Sequence, residues 1–348
     1  MQPVATSTVE PCAWLLGRDA RLARVAAPTY DAAMHDAAMD HSVKVFRCKL
    51  CSSDRHRHVH TFGGSQRYQA AACAECGLFQ DLYDWTAAPP AAMTTELDVE
   101  SSDWVSPAEM DAHAAKAVEF ATRLEREGRL AGAAVLDVGC GEGHFLQECA
   151  RRGARVTGLE FRFASVRYAR EHCGVGDVRS APLDDPSVWP DGEFDMVCSL
   201  DVVEHVHDLG AFFEHCLRVL RPGGYMLHAT PGSDSITHRL GRVASRLGLR
   251  GIGGTLANVQ YVSDLLGGPH VHLMGRAQVD WLARRYSLRA GSEYVASYSY
   301  SDQHYAAYLP QLRWLPRAIG GRLFGVVRGL IRNKLVFWTT SGANRPRR

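Results

Sequence analysis

Residues 135–146 read Val-Leu-Asp-Val-Gly-Cys-Gly-Glu-Gly-His-Phe-Leu, an apolar run that breaks into three alternate glycines and resumes as an apolar helical pattern. A strand with apolar residues at consecutive positions has to be covered on both faces, which places it inside a parallel sheet flanked by helices. Gly139, Gly141 and Gly143 permit a tight strand-to-helix turn whose backbone can be approached closely, and the helix start that follows offers free N–H groups. An acid, Glu160, closes the next apolar run 23 positions after Asp137. A carboxylate there can accept both hydroxyls of a ribose, so the spacing suits an adenosine-bearing ligand. A plain strand-to-helix turn uses the same glycines, so the loop alone is weak evidence.

The surrounding pattern supports the sheet. Short apolar runs at 134–138, 155–159, 196–200 and 225–229 alternate with helical stretches, which predicts βαβ units on a doubly wound α/β sheet. Upstream, Ser106, Pro107 and Glu109 open a helix whose Met110, Ala114, Ala117, Ala121 and Leu124 share one face. Between the last two strands, Leu209, Phe213, Cys216, Leu217 and Leu220 have helical spacing and are closed by Arg-Pro-Gly-Gly. A Gly-rich stretch at 232–275 reads as a lid, and a last helix-strand pair covers 276–300. The expected organisation is a weakly ordered leader at 1–42, a cysteine module at 43–86, a linker at 87–104, the main domain at 105–300 and an extension at 301–348.

Lys and Arg total 39 against 38 Asp and Glu, so no global field draws the chain to nucleic acid, and none is expected as a partner. No apolar run reaches the roughly 18 residues of a membrane span. Met1–Glu10 lack the pattern of a secretory signal, so a cytoplasmic location is expected. Six of the ten cysteines are scattered singles, and the rest form Cys48-x-x-Cys51 and Cys73-x-x-Cys76, 21 residues apart. Four thiolates from two tight turns give closed tetrahedral coordination, the arrangement of structural Zn2+. His56, His58 and His60, beside Arg55 and Arg57, read as a solvated hairpin rather than as competing ligands.

The glycine turn, Glu160, Phe194-Asp195-Met-Val and Leu217-Arg-Val-Leu-Arg-Pro-Gly-Gly-Tyr occur in an order and spacing that resemble the class I S-adenosylmethionine-dependent methyltransferases. A dinucleotide turn needs a glycine where this chain has His144. The resemblance covers roughly residues 105–300 and implies a Rossmann-like methyltransferase fold, seven strands with the last reversed, and S-adenosyl-L-methionine as cofactor. It implies that Asp137, Gly139, Cys140, Gly141 and Gly143 line the methionine and ribose portion and that Glu160 holds the ribose. Leu200 would border the cofactor, and Asp184, after Leu183, would stand near adenine. Phe46-Arg-Cys-Lys-Leu-Cys and Cys73-Ala-Glu-Cys-Gly-Leu-Phe resemble the zinc ribbon of bacterial methyltransferases acting on sugars or secondary metabolites.

Ligands of open α/β sheets sit beyond the carboxyl ends of the strands, which draws attention to Asp201-Val-Val-Glu-His-Val206. On one helix turn Asp201, Glu204 and His205 would share a face, with His205 as base for an acceptor hydroxyl. The stretch resembles the ubiquinone-type, small-molecule branch, where the likeness implies a divalent cation beside a catecholic acceptor. Asp201 as a helix cap and Glu204–His205 as an ordinary polar pair remain open. His270 and His272 would face one way on a strand, and the pair is the second candidate for catalysis or metal ligation, with His272 taken as the catalytic one, against a bland surface role. Tyr294, Tyr298, Tyr300, Tyr305 and Tyr308 could floor a pocket or face a core.

The leading expectation is methyl transfer to a small-molecule acceptor, a sugar, polyketide or phenol, with oxygen favoured over carbon. Its rival is a non-catalytic binding or assembly protein that contacts a macromolecule through the ribbon and the basic tail. Residues 313–348 carry nine Arg or Lys and no acid, and 313–337 read as an amphipathic helix, either packed on the body or in peripheral contact with a membrane. Nothing in the sequence specifies an oligomeric state.

Overall fold

The computed structural model describes residues 46–62, 68–82, 107–249, 270–296 and 332–341. The leader at 1–42, the linker at 87–104, residues 250–269 of the lid, and Tyr298, Tyr300, Tyr305 and Tyr308 lie outside the described residues.

In chain order the elements are β1 (His56–Phe62), β2 (Tyr68–Cys73), β3 (Phe79–Asp81), α1 (Pro107–Arg126), β4 (Ala134–Val138), α2 (His144–Arg151), β5 (Arg155–Leu159), α3 (Phe163–Glu171), β6 (Val178–Arg179) and β7 (Phe194–Leu200). A 3-10 turn (Val203–His205) leads to α4 (Leu209–Val219), β8 (Leu220–Pro231), α5 (Ile236–Arg246), β9 (His272–Leu273), α6 (Arg276–Tyr286), β10 (Leu288–Ala296) and β11 (Arg332–Ser341). Seven strands form one sheet in the order β10-β11-β8-β7-β4-β5-β6. β4 pairs in parallel with β5 and β7, and β7 with β8, whereas β11 runs antiparallel to both β8 and β10.

This is the doubly wound sheet that the apolar runs predict, and alternation along each strand explains its two layers. Val135 and Val336 enter a core formed with Phe120, Leu124, Phe145 and Leu146 of α1 and α2. Leu136, Leu335 and Phe337 enter the opposite core with Phe212, Phe213 and Leu217 of α4. All five residues of β4 are buried, as a central strand requires. Asp208 caps α4 by accepting from the Ala211 N–H at 2.9 Å.

Two expectations are corrected. The expected extension at 301–348 is not one structural unit: Arg332–Ser341 form a strand between β8 and β10, and the other residues of that range lie outside the described set. Lys334, Leu335, Val336 and Phe337 are buried at consecutive positions, as a strand covered on both faces requires, so the segment pairs into the sheet instead of continuing the helical spacing expected over 313–337. The cysteine module is not a separate lobe either. Its β3 pairs antiparallel with β9, Phe79 opposite Leu273 and Gln80 opposite His272, so residues expected in a lid complete a four-stranded sheet β1-β2-β3-β9. Leu50, Leu78 and Leu82 join the same core as α4.

Burying Leu335, Val336 and Phe337 is worth on the order of 5 kcal/mol or more, comparable to the net stability of a domain. A chain truncated after residue 331 is therefore expected to lose cooperative unfolding and solubility. A thermal melt monitored by circular dichroism checks this, and a native-like transition would contradict it.

Candidate active site

The turn after β4 brings the expected glycine residues to the carboxyl edge of the sheet. Gly139 and Gly141 hold φ of 73° and 51°, a left-handed backbone that other residues adopt only at a cost. A Cβ on Gly139 would stand 2.5 Å from Val202 Cγ2, so this glycine lets the turn pack on the segment after β7. A Cβ on Gly141 would meet nothing within 4 Å, so its backbone is open to approach. The Gly141 N–H donates to Glu160 Oε2 at 2.9 Å, while Glu160 Oε1 accepts from the Phe161 and Arg162 N–H groups, each at 2.8 Å. Glu160 and the glycine turn are thus joined, and a carboxylate's four acceptor sites leave room for one more donor.

Cys140 takes part through its backbone alone. Its N–H donates to the Leu159 carbonyl, and its Sγ would lie 2.5 Å from a Cβ on Gly158, so the side chain plugs the gap beside β5. Gly143 caps the start of α2. Leu200 ends β7 and packs at the border of the α1–α2 core. Asp184 stands exposed between β6 and β7, and among the described residues no hydrogen bond or ion pair links it to the glycine turn.

Asp137 is buried in β4, and its Oδ1 has no hydrogen-bond partner. Burial pushes this carboxyl up to about 8, with the Glu160 charge adding and the Lys116 charge opposing. An ammonium or hydroxyl group of a ligand would supply the missing donor.

Asp201, Glu204 and His205 do not share a helix face. Asp201 sits in a left-handed bend with φ 62°, its N–H donating to the Ala229 carbonyl at 2.8 Å. Its two carboxylate oxygens pair with Lys116 of α1 and Lys334 of β11. Burial lowers Lys116 to about 8, and burial together with Lys116 holds Lys334 well below its ordinary value. Glu204 turns inward and accepts from Thr230 Oγ1 at 2.9 Å, and burial raises its carboxyl to about 7. His205 is half-buried, with its ring centroid 5.1 Å from that of His270. Donor atoms of Glu204, His205 and His270 lie within 4.8 Å of one another.

His272, expected at the site, is packed in the core and is not part of that cluster. It is 1% exposed, its Nε2 bonds the Val206 carbonyl at 3.0 Å, and burial depresses its pKa far below the ordinary value. The neighbour that faces His205 is His270. Lys116 and Lys334 were not singled out from the sequence. Lys116 stands four and eight residues before Phe120 and Leu124, a spacing that puts a cation on the buried stripe of α1. Nothing local marks Lys334, because its partner lies 133 residues away.

The four expected cysteines converge. Cys48 Sγ is 3.4 Å from Cys76 Sγ and Cys51 Sγ is 3.6 Å from Cys73 Sγ, close to the edge of about 3.8 Å that Zn–S bonds of about 2.3 Å impose on a tetrahedron. Both pairs form the same knuckle: the Ser52 N–H donates to the Cys48 carbonyl and the Gly77 N–H to the Cys73 carbonyl. The hydrogen bond from Cys76 lowers the Cys48 thiol, toward the thiolate a metal ligand needs. The residues fit a structural Zn2+. His56 and His58 are exposed, but His60 is not solvated as expected: it is buried, 5.9 Å ring to ring from Phe79, and burial with Arg246 lowers it to about 4. The module reaches the site through Lys49, whose carbonyl accepts from the Gly210 N–H of α4 at 3.1 Å, and through Cys76, whose carbonyl accepts from Gln278 Nε2 at 2.6 Å.

The profile of a methyltransferase domain family matches residues 109–290. A ubiquinone biosynthesis O-methyltransferase of Bordetella bronchiseptica is 34% identical over 122 residues, 34% of this chain and 51% of that protein. A probable S-adenosylmethionine-dependent methyltransferase of Mycolicibacterium smegmatis is 40% identical over 114 residues, 33% of this chain and 43% of that protein. The chain thus spans about half the length of these curated relatives. A solved structure, that of a putative sarcosine dimethylglycine methyltransferase from Galdieria sulphuraria, is similar with 18% identity and a TM-score of 0.44, covering 66% of this chain and 86% of its own.

The raised carboxyl of Asp137 has a measurable consequence. Burial in the fold raises it from the ordinary 3.8 to about 8. Stability contributed by the neutral form is present at low pH and is lost as pH rises between these values. Asp137→Asn cannot ionise, so its melting temperature relative to the parent should climb from about pH 4 to about pH 8 and then level off. A difference that stays flat across that window would refute the assignment.

Proposed function

Because the chain belongs to the methyltransferase domain family, we propose that it transfers the methyl group of S-adenosyl-L-methionine to a small-molecule acceptor held against Glu204, His205 and His270. The observation that carries this reading is the pairing of an approachable backbone at Gly141 with the carboxylate of Glu160, on a turn whose buried Asp137 lacks a donor. When bound, S-adenosyl-L-methionine supplies an electrophilic methyl group on a sulfonium. In this reading the backbone of 139–143 and Asp137 hold the amino-acid end, and Glu160 accepts from a ribose hydroxyl. Leu200 borders the cofactor from the end of β7, and the Leu183–Asp184 loop is the adenine side.

Methyl transfer is an in-line displacement, so alignment of the partners is the first requirement and removal of a hydroxyl proton the second. His205 and His270 are the half-buried groups of the cluster, and an imidazole can accept a proton near neutral pH. His205 is the proposed base, which favours oxygen over carbon as the methylated atom and a sugar, polyketide or phenol as the acceptor class. The carboxylate oxygen and two imidazole nitrogens also form a donor set suited to a divalent transition metal, which would orient a catecholic acceptor. The cysteine quartet would hold structural Zn2+ with no position open to substrate.

Calorimetry with S-adenosylhomocysteine tests the reading. The parent protein should bind it, and Glu160→Ala should weaken binding by about tenfold or more, since a charge-assisted hydrogen bond is lost. No binding by the parent would reject the function. For the base, His205→Ala should lower turnover by roughly 10²–10⁴ while keeping the affinity for S-adenosylhomocysteine. Unchanged turnover would remove His205 from the mechanism.

A further inference from the structure

α5 is amphipathic the wrong way round for a helix packed on a body. The side it turns inward carries Ser235 at its cap, His238, Gly241, Ala244 and Ser245, all buried. This polar side is clamped on the cysteine module: Ser245 Oγ donates to the Thr61 carbonyl at 2.8 Å, and the His238 ring lies edge-on to Phe79 at 4.9 Å. The side it turns outward carries Ile236, Leu240, Val243 and Leu247, at successive spacings of four, three and four, and these are 63%, 52%, 52% and 72% exposed. Leu249 extends the stripe at 52%. Scattered exposed leucines need no explanation, but a continuous helical stripe does.

The charges beside the stripe have one sign. Arg239 and Arg246 are exposed on the same side and Arg242 half-buried at its edge, and residues 236–249 contain no Asp or Glu. The three guanidiniums crowd one another: burial, then Arg246 and Arg239, pull Arg242 below its ordinary value, with only Asp234 opposing. Arg246 and Arg242 also bear on the buried His60 of the module. A protein partner would have to bring a carboxylate for each arginine and an apolar groove between them. The surface of an anionic bilayer supplies both at once, headgroup phosphates for the arginines and acyl chains for the stripe.

We propose that the outward face of α5 is a docking surface for an anionic lipid bilayer, with Ile236, Leu240, Val243 and Leu247 seated below the headgroups and Arg239, Arg242 and Arg246 paired with phosphates. Among the described residues no helix is long and apolar enough to cross a membrane, and the contact proposed for α5 is peripheral. α5 starts five residues after the end of β8, whose carboxyl end lies at the edge of the sheet where ligands of such folds bind. The proposal does not depend on the methyl-transfer reading, since it concerns a different face and a different ligand.

Co-sedimentation of the full chain with vesicles tests it, comparing mixed phosphatidylcholine and phosphatidylglycerol with phosphatidylcholine alone. The parent should pellet with the mixed vesicles and stay in solution with the neutral ones, and added salt should weaken the binding. Leu240→Glu with Leu247→Glu should cut partitioning by at least about tenfold, and Arg239→Gln with Arg246→Gln by about tenfold on anionic vesicles alone. These positions are exposed, so the variants should keep the parent's melting temperature, and calorimetry with S-adenosylhomocysteine reports the crevice separately. Failure of the parent to bind mixed vesicles would overturn the proposal. Undiminished vesicle binding by the leucine variant would also overturn it, by assigning lipid contact to another part of the chain. So would a parent that forms dimers which the leucine variant abolishes while neither binds vesicles, because the stripe would then belong to a second copy.

Discussion

A single carboxylate draws three remote parts of the chain to one point. Asp201, in a left-handed bend directly after β7, takes Lys116 from α1 and Lys334 from β11, 85 and 133 residues away. Such an arrangement is poor at adding stability, because removing charges from water offsets most of their attraction. What it does well is enforce geometry: deleting one partner strands a buried charge at a cost of about 3–5 kcal/mol, so alternative placements of the bend are excluded. The segment that follows is the one carrying Glu204 and His205, and Gly139 packs on its Val202. The glycine turn and the segment that carries Glu204 and His205 are thus referenced to the same fixed point.

The cysteine module serves the same segment from the other side. Cys48 and Cys51 bracket Lys49, whose carbonyl meets the start of α4, and Lys49 Nζ pairs with Asp81 at 2.5 Å. β3 holds β9 by its edge, which positions His270 just before it and lets the Val271 N–H reach the Glu204 carbonyl at 2.9 Å. A metal in the quartet would therefore stiffen the wall around Glu204, His205 and His270 without touching a ligand.

What could be read in the sequence follows from how local each cause is. β4 and its turn were legible because consecutive apolar residues and alternate glycines admit few other conformations. α4 was legible from its spacing and its Arg-Pro-Gly-Gly end, and the cysteine quartet from its two identical intervals. The choice between His270 and His272 was not legible. Period two puts them on one side, but β9 covers only His272–Leu273, and its pairing with β3, nearly two hundred residues earlier, buries the second histidine alone. β11 was misread because leucines and arginines before it keep a helical spacing, while the burial that makes 332–341 a strand comes from β8 and β10. Lys334 inherits that difficulty, since its role exists only once the strand is in place.

The position of β11 also bears on how the molecule can be made. β10 leaves the ribosome before β11, yet it reaches the sheet only through β11, which stands between it and β8. During synthesis the exposed edge of β8 and the unattached β10 must wait until residue 341 has emerged, and unpaired strand edges are aggregation-prone. The nascent chain thus has an interval of vulnerability between the emergence of β10 and that of β11, in which a holdase would be most useful, and slowing translation across residues 297–341 would lengthen it.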